Sequence, residues 1–171
     1  DTDYTQHNYS DNKLTPKLSF RFNPSDMKDY SLASNHIDVS NIFALNRLGL
    51  SDSIETGRSL TLGVDFRKEK NQSLNDINDY FEIKLATVLR DKEEKFIPNK
   101  SSLHRKTSNL FGSITNKFSD NFDLNYNFAI DNDYNTFQYN DLNATISLNN
   151  FVTTFNFIEE NSDTGDANVI A

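Results

Sequence analysis

The sequence predicts an all-β fold in which strands of about ten residues follow one another as an antiparallel up-and-down meander. Three observations predict it: apolar residues alternate with polar ones, the alternating segments are long, and the connections between them differ in length. The alternation is clearest where Phe122, Leu124 and Phe128 are interleaved with Asp123 and Asn125. A helical period of about 3.6 residues would scatter these apolar side chains around all sides, so the pattern indicates a strand with one apolar and one polar face.

The same alternation recurs along the chain and predicts seven strands. Most of them reach the roughly 9–11 residues that a tilted membrane-spanning strand needs, whereas strands of soluble sheets usually have about five or six. The predicted strands cover residues 14–22, 58–67, 80–90, 108–118, 121–131, 137–148 and 151–159.

The connections between these strands alternate in character. Residues 119–121 and the pair Asn149–Asn150 suit tight turns, because Asn and Asp tolerate left-handed backbone conformations. Long polar loops are predicted at residues 23–57 and 91–107. Bacterial outer-membrane barrels have short turns on one side and long loops on the other, so we interpret the meander as part of a transmembrane outer-membrane β-barrel.

Residues 14–159 are therefore expected to form a barrel segment, with flexible or truncated ends at 1–13 and 160–171. The chain begins without a methionine or a leader, and we expect it to be an internal block of strands. One apolar helical face in the first long loop predicts a short helix. Its residues are Val39, Ile42, Phe43 and Asn46.

The composition fits this interpretation and excludes other classes. Only 36% of the residues are hydrophobic, which is little for a thick core but enough for a sheet with one apolar face. The net charge of −8 argues against nucleic acid as a partner. The absence of cysteine excludes disulfides and thiol chemistry, and no apolar run is long enough for a transmembrane helix.

The residues offer little support for catalysis, a cofactor or a metal site. No nucleophile elbow, dinucleotide fingerprint or phosphate-binding loop occurs, so we predict that the chain is not an enzyme. The three histidines are far apart and lack ligand spacing; they are His7, His36 and His104. Asp131, Asp133 and Asn135 imitate the start of a calcium loop. Thr136 and Leu142 then stand where its glycine and glutamate are needed, so we expect a solvated connection.

The densest cluster of specific residues lies between Leu45 and Arg58. It is expected to be a glycine-punctuated turn leading into a strand, with Arg47 or Arg58 able to pair with Asp52 or Glu55. The candidate site residues of this cluster are Asn46, Arg47, Gly49, Asp52, Glu55, Gly57 and Arg58.

Four segments together carry a family resemblance. They are Thr15–Phe22, Asn41–Asp52, Glu55–Arg58 with the strand to Phe66, and Ser108–Ile114 with the strands after it. They resemble the β-barrel part of the LPS-assembly outer-membrane protein family, LptD, also called organic solvent tolerance protein. The resemblance runs in the family's order from about residue 14 to residue 158 and is weaker in its last part.

The resemblance implies a transport role in the outer membrane of a Gram-negative bacterium. Lipopolysaccharide would pass from periplasmic bridge proteins to the outer leaflet through a barrel that holds a plug lipoprotein of the LptE kind. The cluster at residues 46–58 is carried over only as a family-like loop motif of unknown role. Two alternatives stay open from the sequence: a soluble antiparallel β-sandwich that binds a partner at the cell surface, and a general porin segment.

Overall fold

The computed structural model describes residues 9–71, 79–119, 121–162 and 165–170. They form one eight-stranded antiparallel sheet, in which every strand pairs with the next one along the chain. The predicted up-and-down meander is confirmed. The sheet has two free edges, β1 and β8. The strands are β1 (Tyr9–Asn23), β2 (Gly57–Asn71), β3 (Asp79–Arg90), β4 (Leu110–Ser119), β5 (Phe122–Ile130), β6 (Phe137–Leu148), β7 (Phe151–Ser162) and β8 (Gly165–Ile170).

The strand register sorts the side chains onto two faces. Because alternate residues of a strand point to opposite sides, paired residues share a face across the sheet. We call the two sides the apolar face and the polar face. One row of the apolar face crosses seven strands and contains Leu14, Phe66, Ile83, Ile114, Tyr126, Leu142 and Phe157.

The buried core lies on the polar face. The first loop (residues 24–56) and the second loop (residues 91–109) join strands at the same end of the sheet and fold over this face. The first loop contributes Met27, Ile37, Ile42, Leu48 and Leu50, and the second contributes Ile97 and Leu103. They meet four buried residues of the sheet, Ala86, Val88, Phe111 and Ala129.

The structure differs from the sequence prediction at the two ends of the chain. β1 begins at Tyr9, inside the predicted flexible end at 1–13, and an eighth strand occupies part of the predicted end at 160–171. Both segments are polar, so they lack an alternating apolar signal. They become strands because residues 9–13 pair with residues 67–71 of β2, and residues 165–170 pair with residues 157–162 of β7. The part of the 1–13 prediction that includes His7 lies outside the described residues.

The predicted helix at Val39–Asn46 is wrong, and consecutive turns take its place. A single helical turn forms, in which Asp38 accepts bonds from the backbone of Ser40 and Asn41 and its carbonyl accepts from Ile42 N. This is the geometry of a helix N-cap, but the next backbone bond, from Ala44 N to Asn41 O, spans only three residues, so the helical turn is not extended. The apolar part of the prediction is confirmed, since Ile42 is fully buried.

The predicted tight turn at Asn149–Asn150 is confirmed, with Asn149 at a φ of 54°. The predicted turn at 119–121 contains Asp120, which lies outside the described residues. The two packed sheets of the sandwich alternative are not formed, because the described strands all belong to a single sheet. Within the described ranges, no helix is long and apolar enough to cross a membrane.

Candidate functional site

Three polar side chains lie in one row of the polar face, where the sheet meets the first loop. Arg21 of β1 is opposite Ser59 of β2, and Ser59 is opposite Arg90 of β3. Arg21 donates to the carbonyls of Ala44 and Leu45, so it ties the first loop to the edge of the sheet. The row therefore presents two guanidinium groups to the loop above it.

The first loop contributes an ion pair that contacts this row. Arg47 is fully buried and donates to both carboxylate oxygens of Glu55, over 2.6 and 2.5 Å. It also donates to the hydroxyls of Thr61 at 2.8 Å and Ser59 at 3.0 Å. Glu55 accepts a further bond from Arg90. We call Arg47, Glu55 and Arg90 the arginine–glutamate cluster.

The environment of Glu55 sets its charge. Burial alone raises the pKa of this carboxyl, but the hydrogen bond and charge of Arg47, together with the charge of Arg90, outweigh burial and hold the pKa below its ordinary value of 4.5. Glu55 is therefore ionised at neutral pH. Two cations share one anion, and the fork geometry of guanidinium suits this arrangement.

The remaining predicted site residues shape the loop. The Asn46 side chain donates to Leu50 O at 2.9 Å and accepts from Leu50 N at 3.2 Å, which closes a turn that includes Gly49 at a φ of 64°. Gly57 has a φ of 87°, and a Cβ there would lie 2.9 Å from an Arg90 nitrogen. Glycine at position 57 therefore leaves room for Arg90 to reach the first loop.

Two of the predicted site residues, Asp52 and Arg58, lie apart from the arginine–glutamate cluster. Asp52 accepts from Lys28 and from the hydroxyl of Tyr30 at the surface of the first loop. Arg58 pairs with Asp91 at 2.9 Å on the exposed apolar side of β2. The predicted ion pair is thus Arg47–Glu55, and the other pairings that the sequence allowed are not formed.

An aromatic contact fixes the tip of the first loop to the sheet. The ring of Phe43 lies on Gly63 of β2, where a Cβ would come within 2.7 Å of it. The ammonium of Lys17 lies 5.7 Å from the centre of the same ring and pairs with Asp65 at 2.5 Å. The absence of a side chain at Gly63 allows this close approach.

Sequence reasoning missed four residues that belong to the arginine–glutamate cluster or lie next to it. They are Arg21, Ser59, Thr61 and Arg90. Their signal was present, since all four occupy polar-face positions of predicted strands next to the first long loop. Finding them needed the register between strands, which a single sequence does not supply.

The apolar face forms a second candidate surface. Its side chains remain exposed at the edge of the sheet, with Leu18 at 71% and Phe20 at 66% of their full exposure. On β3 the apolar residues run from Phe81 to Leu89 between two acidic residues, Asp79 and Asp91. Eight residue steps span about 26 Å along a strand. A charge-bounded apolar band thus crosses the sheet.

One polar cluster interrupts the apolar face near its loop end. Asn140 is buried between its neighbours, accepts from the Tyr126 hydroxyl at 2.6 Å and donates to Glu159 at 3.0 Å. Each of these side chains has a partner, so the cluster is satisfied within the face.

A cavity of about 670 Å³ lies on the polar face between the two loops and the later strands. Asp131, which the sequence placed in a failed calcium loop, accepts from Arg105 beside it at 2.9 Å. Among the described side chains, no group of three or more His, Asp or Glu residues is arranged to hold a metal ion.

The fold and these sites define a class: a single antiparallel meander with one uncovered apolar face and one polar face capped by loops. No protein-family model, curated protein or solved structure matches the chain. The functional assignment therefore depends on the surfaces of the molecule.

Proposed function

We propose that the chain is a section of the wall of an outer-membrane β-barrel. The contrast between the two faces carries this proposal. The core is confined to the polar face, whereas the apolar face keeps side chains such as Leu18 and Phe20 exposed. Contiguous apolar surface of this kind marks a membrane or interaction surface.

The dimensions of the apolar band support contact with lipid. At a strand tilt of about 40°, the roughly 26 Å from Phe81 to Leu89 correspond to about 20 Å across the membrane. Outer-membrane barrels carry an apolar band of about 25 Å. On β2 the band ends in Arg58 and Lys68, which lie where headgroups and water would solvate them.

The polar face is then the lumen side of the wall, and the two loops form a cap at its outer end. This assignment follows the rule that long loops of such barrels lie outside and short turns lie in the periplasm. The arginine–glutamate cluster holds the cap on the lumen wall. Outer-membrane lipid is the partner of the opposite face.

We further propose that the cargo is lipopolysaccharide, delivered by periplasmic bridge proteins past an LptE-like plug lipoprotein in the lumen. The family resemblance of residues 15–22 and 41–58 supports this cargo. These residues form most of β1 and the part of the first loop that carries Arg47 and Glu55. The proposal requires no covalent chemistry.

Site-specific photocrosslinking in Gram-negative cells tests the cargo. A benzophenone amino acid at Asn125, on the polar face, should capture lipopolysaccharide only while its synthesis continues. The same probe at Leu124, on the apolar face, should capture resident outer-leaflet lipid even after synthesis is blocked. Absence of a synthesis-dependent adduct at Asn125 would contradict the cargo.

A general porin segment is the alternative that shares this wall. Liposomes that contain the protein distinguish the two functions, because a porin admits small sugars and the liposomes swell. Swelling without a synthesis-dependent adduct at Asn125 would replace the translocon with a porin. Absence of swelling, together with the adduct, is the outcome that we expect.

A further inference from the structure

The cavity between the two loops has the size and composition of a ligand site. Its volume of about 670 Å³ lies within the range of roughly 300–1,000 Å³ that is typical of small-molecule pockets. Apolar and polar side chains both line it, from the first loop, the second loop and strands β4 to β7. The polar and aromatic side chains of the lining include His36, Lys100, Arg105, Asn109, Gln138 and Tyr139.

A buried hydrogen-bond acceptor in the wall lacks a donor. Asn109 is only 6% exposed, and its side-chain oxygen has no hydrogen-bond partner. Its backbone is fixed on both sides, because Asn109 N donates to Ser102 Oγ at 3.0 Å and Asn109 O accepts from Ser108 Oγ at 2.8 Å. Buried polar atoms are nearly always paired in folded proteins. A held, unpaired acceptor in a cavity wall indicates a ligand with a donor.

The lysine, arginine and carboxylate groups of the lining already have partners, and the carboxylate of Asp38 accepts from Ser40 and from Asn41 N. Lys100 pairs with Glu160 at 2.8 Å, and Arg105 pairs with Asp131 at 2.9 Å. An anionic ligand would have to compete with both carboxylates for these cations. The cavity is therefore better suited to an uncharged ligand.

Two aromatic rings line the cavity next to these polar groups. The rings of His36 and Tyr139 lie with their centres 6.0 Å apart and their planes at 40°. Aromatic side chains combine an apolar face with a polar edge. A pyranose ring has the complementary character, since its C–H face is apolar and its hydroxyls donate and accept hydrogen bonds.

We propose that this cavity binds a short uncharged saccharide, with a sugar hydroxyl donating to Asn109 Oδ1 and a sugar ring lying against Tyr139. Gln138 supplies a second amide that both donates and accepts. A hydrocarbon ligand would leave Asn109 unpaired. The site is built from residues of this chain alone and does not depend on membrane insertion or on the cargo proposed above.

Titration of the full chain with maltose, galactose and N-acetylglucosamine tests the proposal, with glucuronate and inorganic phosphate as charged probes. Saturation-transfer NMR or calorimetry detects the binding. We expect at least one neutral sugar to bind and both charged probes to bind more weakly. Binding of the charged probes alone, or of none, would overturn the proposal.

Variants identify the site of binding. Asn109→Ala should weaken sugar binding about tenfold or more, because the buried sugar hydroxyl would lose its acceptor. Asn109→Asp keeps an acceptor oxygen and should retain more of the affinity. Tyr139→Ala should weaken binding independently, which keeps the test available if one variant misfolds. Asn127→Ala, on the same face but outside the cavity lining, is the matched control and should bind as the parent chain does. Equal affinities in all of these variants would refute the assignment.

Discussion

The arginine–glutamate cluster makes a sharp prediction about how the first loop is held. We consider Arg47→Met and Glu55→Gln, alone and together. Each single change breaks the buried Arg47–Glu55 pair: Arg47→Met leaves Glu55 with Arg90 alone, and Glu55→Gln leaves two guanidinium groups without a carboxylate. Breaking a buried pair by removing one partner costs about 3–5 kcal/mol, and we expect Glu55→Gln to cost more than Arg47→Met. The side chains of Arg47 and Glu55 are 0% and 6% exposed, so solvent does little to screen the loss.

The double variant should cost less than the two single changes added together. Coupling between side chains in contact is typically about 0.5–3 kcal/mol, and two hydrogen bonds join this pair. The four proteins form a double-mutant cycle from which the pairwise term is obtained directly.

Hydrogen exchange at first-loop amides measures the cost. Ala44 N and Gly49 N donate within the loop and are protected only while it stays folded. A loss of about 3 kcal/mol accelerates their exchange by more than about 100-fold. Arg58→Met is the matched control, because the Arg58 side chain is 62% exposed in its ion pair and such pairs contribute at most about 1 kcal/mol. Single changes that accelerate exchange no more than this control, or strictly additive effects, would refute the role of the cluster.

Other changes test the contact of Phe43 with Gly63, the charge of Glu55 and the exposure of the apolar face to lipid. Gly63→Ala should destabilise the docked loop by about 1–3 kcal/mol because its Cβ overlaps the Phe43 ring, and Phe43→Leu should restore part of the loss in an exchange or proteolysis assay; no loss would exclude the contact. The depressed pKa of Glu55 contributes stability that is fully present above the ordinary value of 4.5 and is lost as pH falls through the lower folded value, so loop amides should lose protection in acid. Glu55→Gln should reduce that dependence and leave the part that comes from Asp29 and Asp52, whose pKa values are also lowered by their hydrogen bonds. Leu142→Arg on the apolar face should cost about 2–4 kcal/mol in lipid and Asn125→Arg on the polar face close to nothing, as measured by denaturant unfolding in vesicles; equal costs would contradict the lipid contact.

Much of the fold could be predicted from residues because the alternation acts locally. Phe122, Leu124 and Phe128 define a strand without knowledge of its neighbours, and the register that follows puts them on one face. The ends could not be predicted, since β8 (Gly165–Ile170) forms by pairing with β7 and carries little pattern of its own. Whether an edge segment of this kind forms a strand depends on the neighbouring strand with which it pairs.

The candidate site was predictable only in part for a similar reason. Arg47 and Glu55 are eight residues apart in one loop, so their pairing is accessible to sequence reasoning. Arg90 reaches the same carboxylate from 35 residues away, through the register of β2 with β3. The predicted helix failed because the one turn that Asp38 caps is not extended, since Ala44 N donates to Asn41 O, three residues back. Long-range register and the local choice of backbone hydrogen-bond partner are the two effects that composition and periodicity do not contain.

Fluorescence quenching in vesicles measures directly whether the apolar face contacts lipid. The chain contains no tryptophan, so Leu124→Trp and Asn125→Trp each introduce a single tryptophan. The two positions lie on opposite faces at about the same depth. Lipids with brominated acyl chains should quench the tryptophan at position 124 strongly and the one at position 125 weakly. Equal quenching at the two positions, or none at 124, would contradict the account.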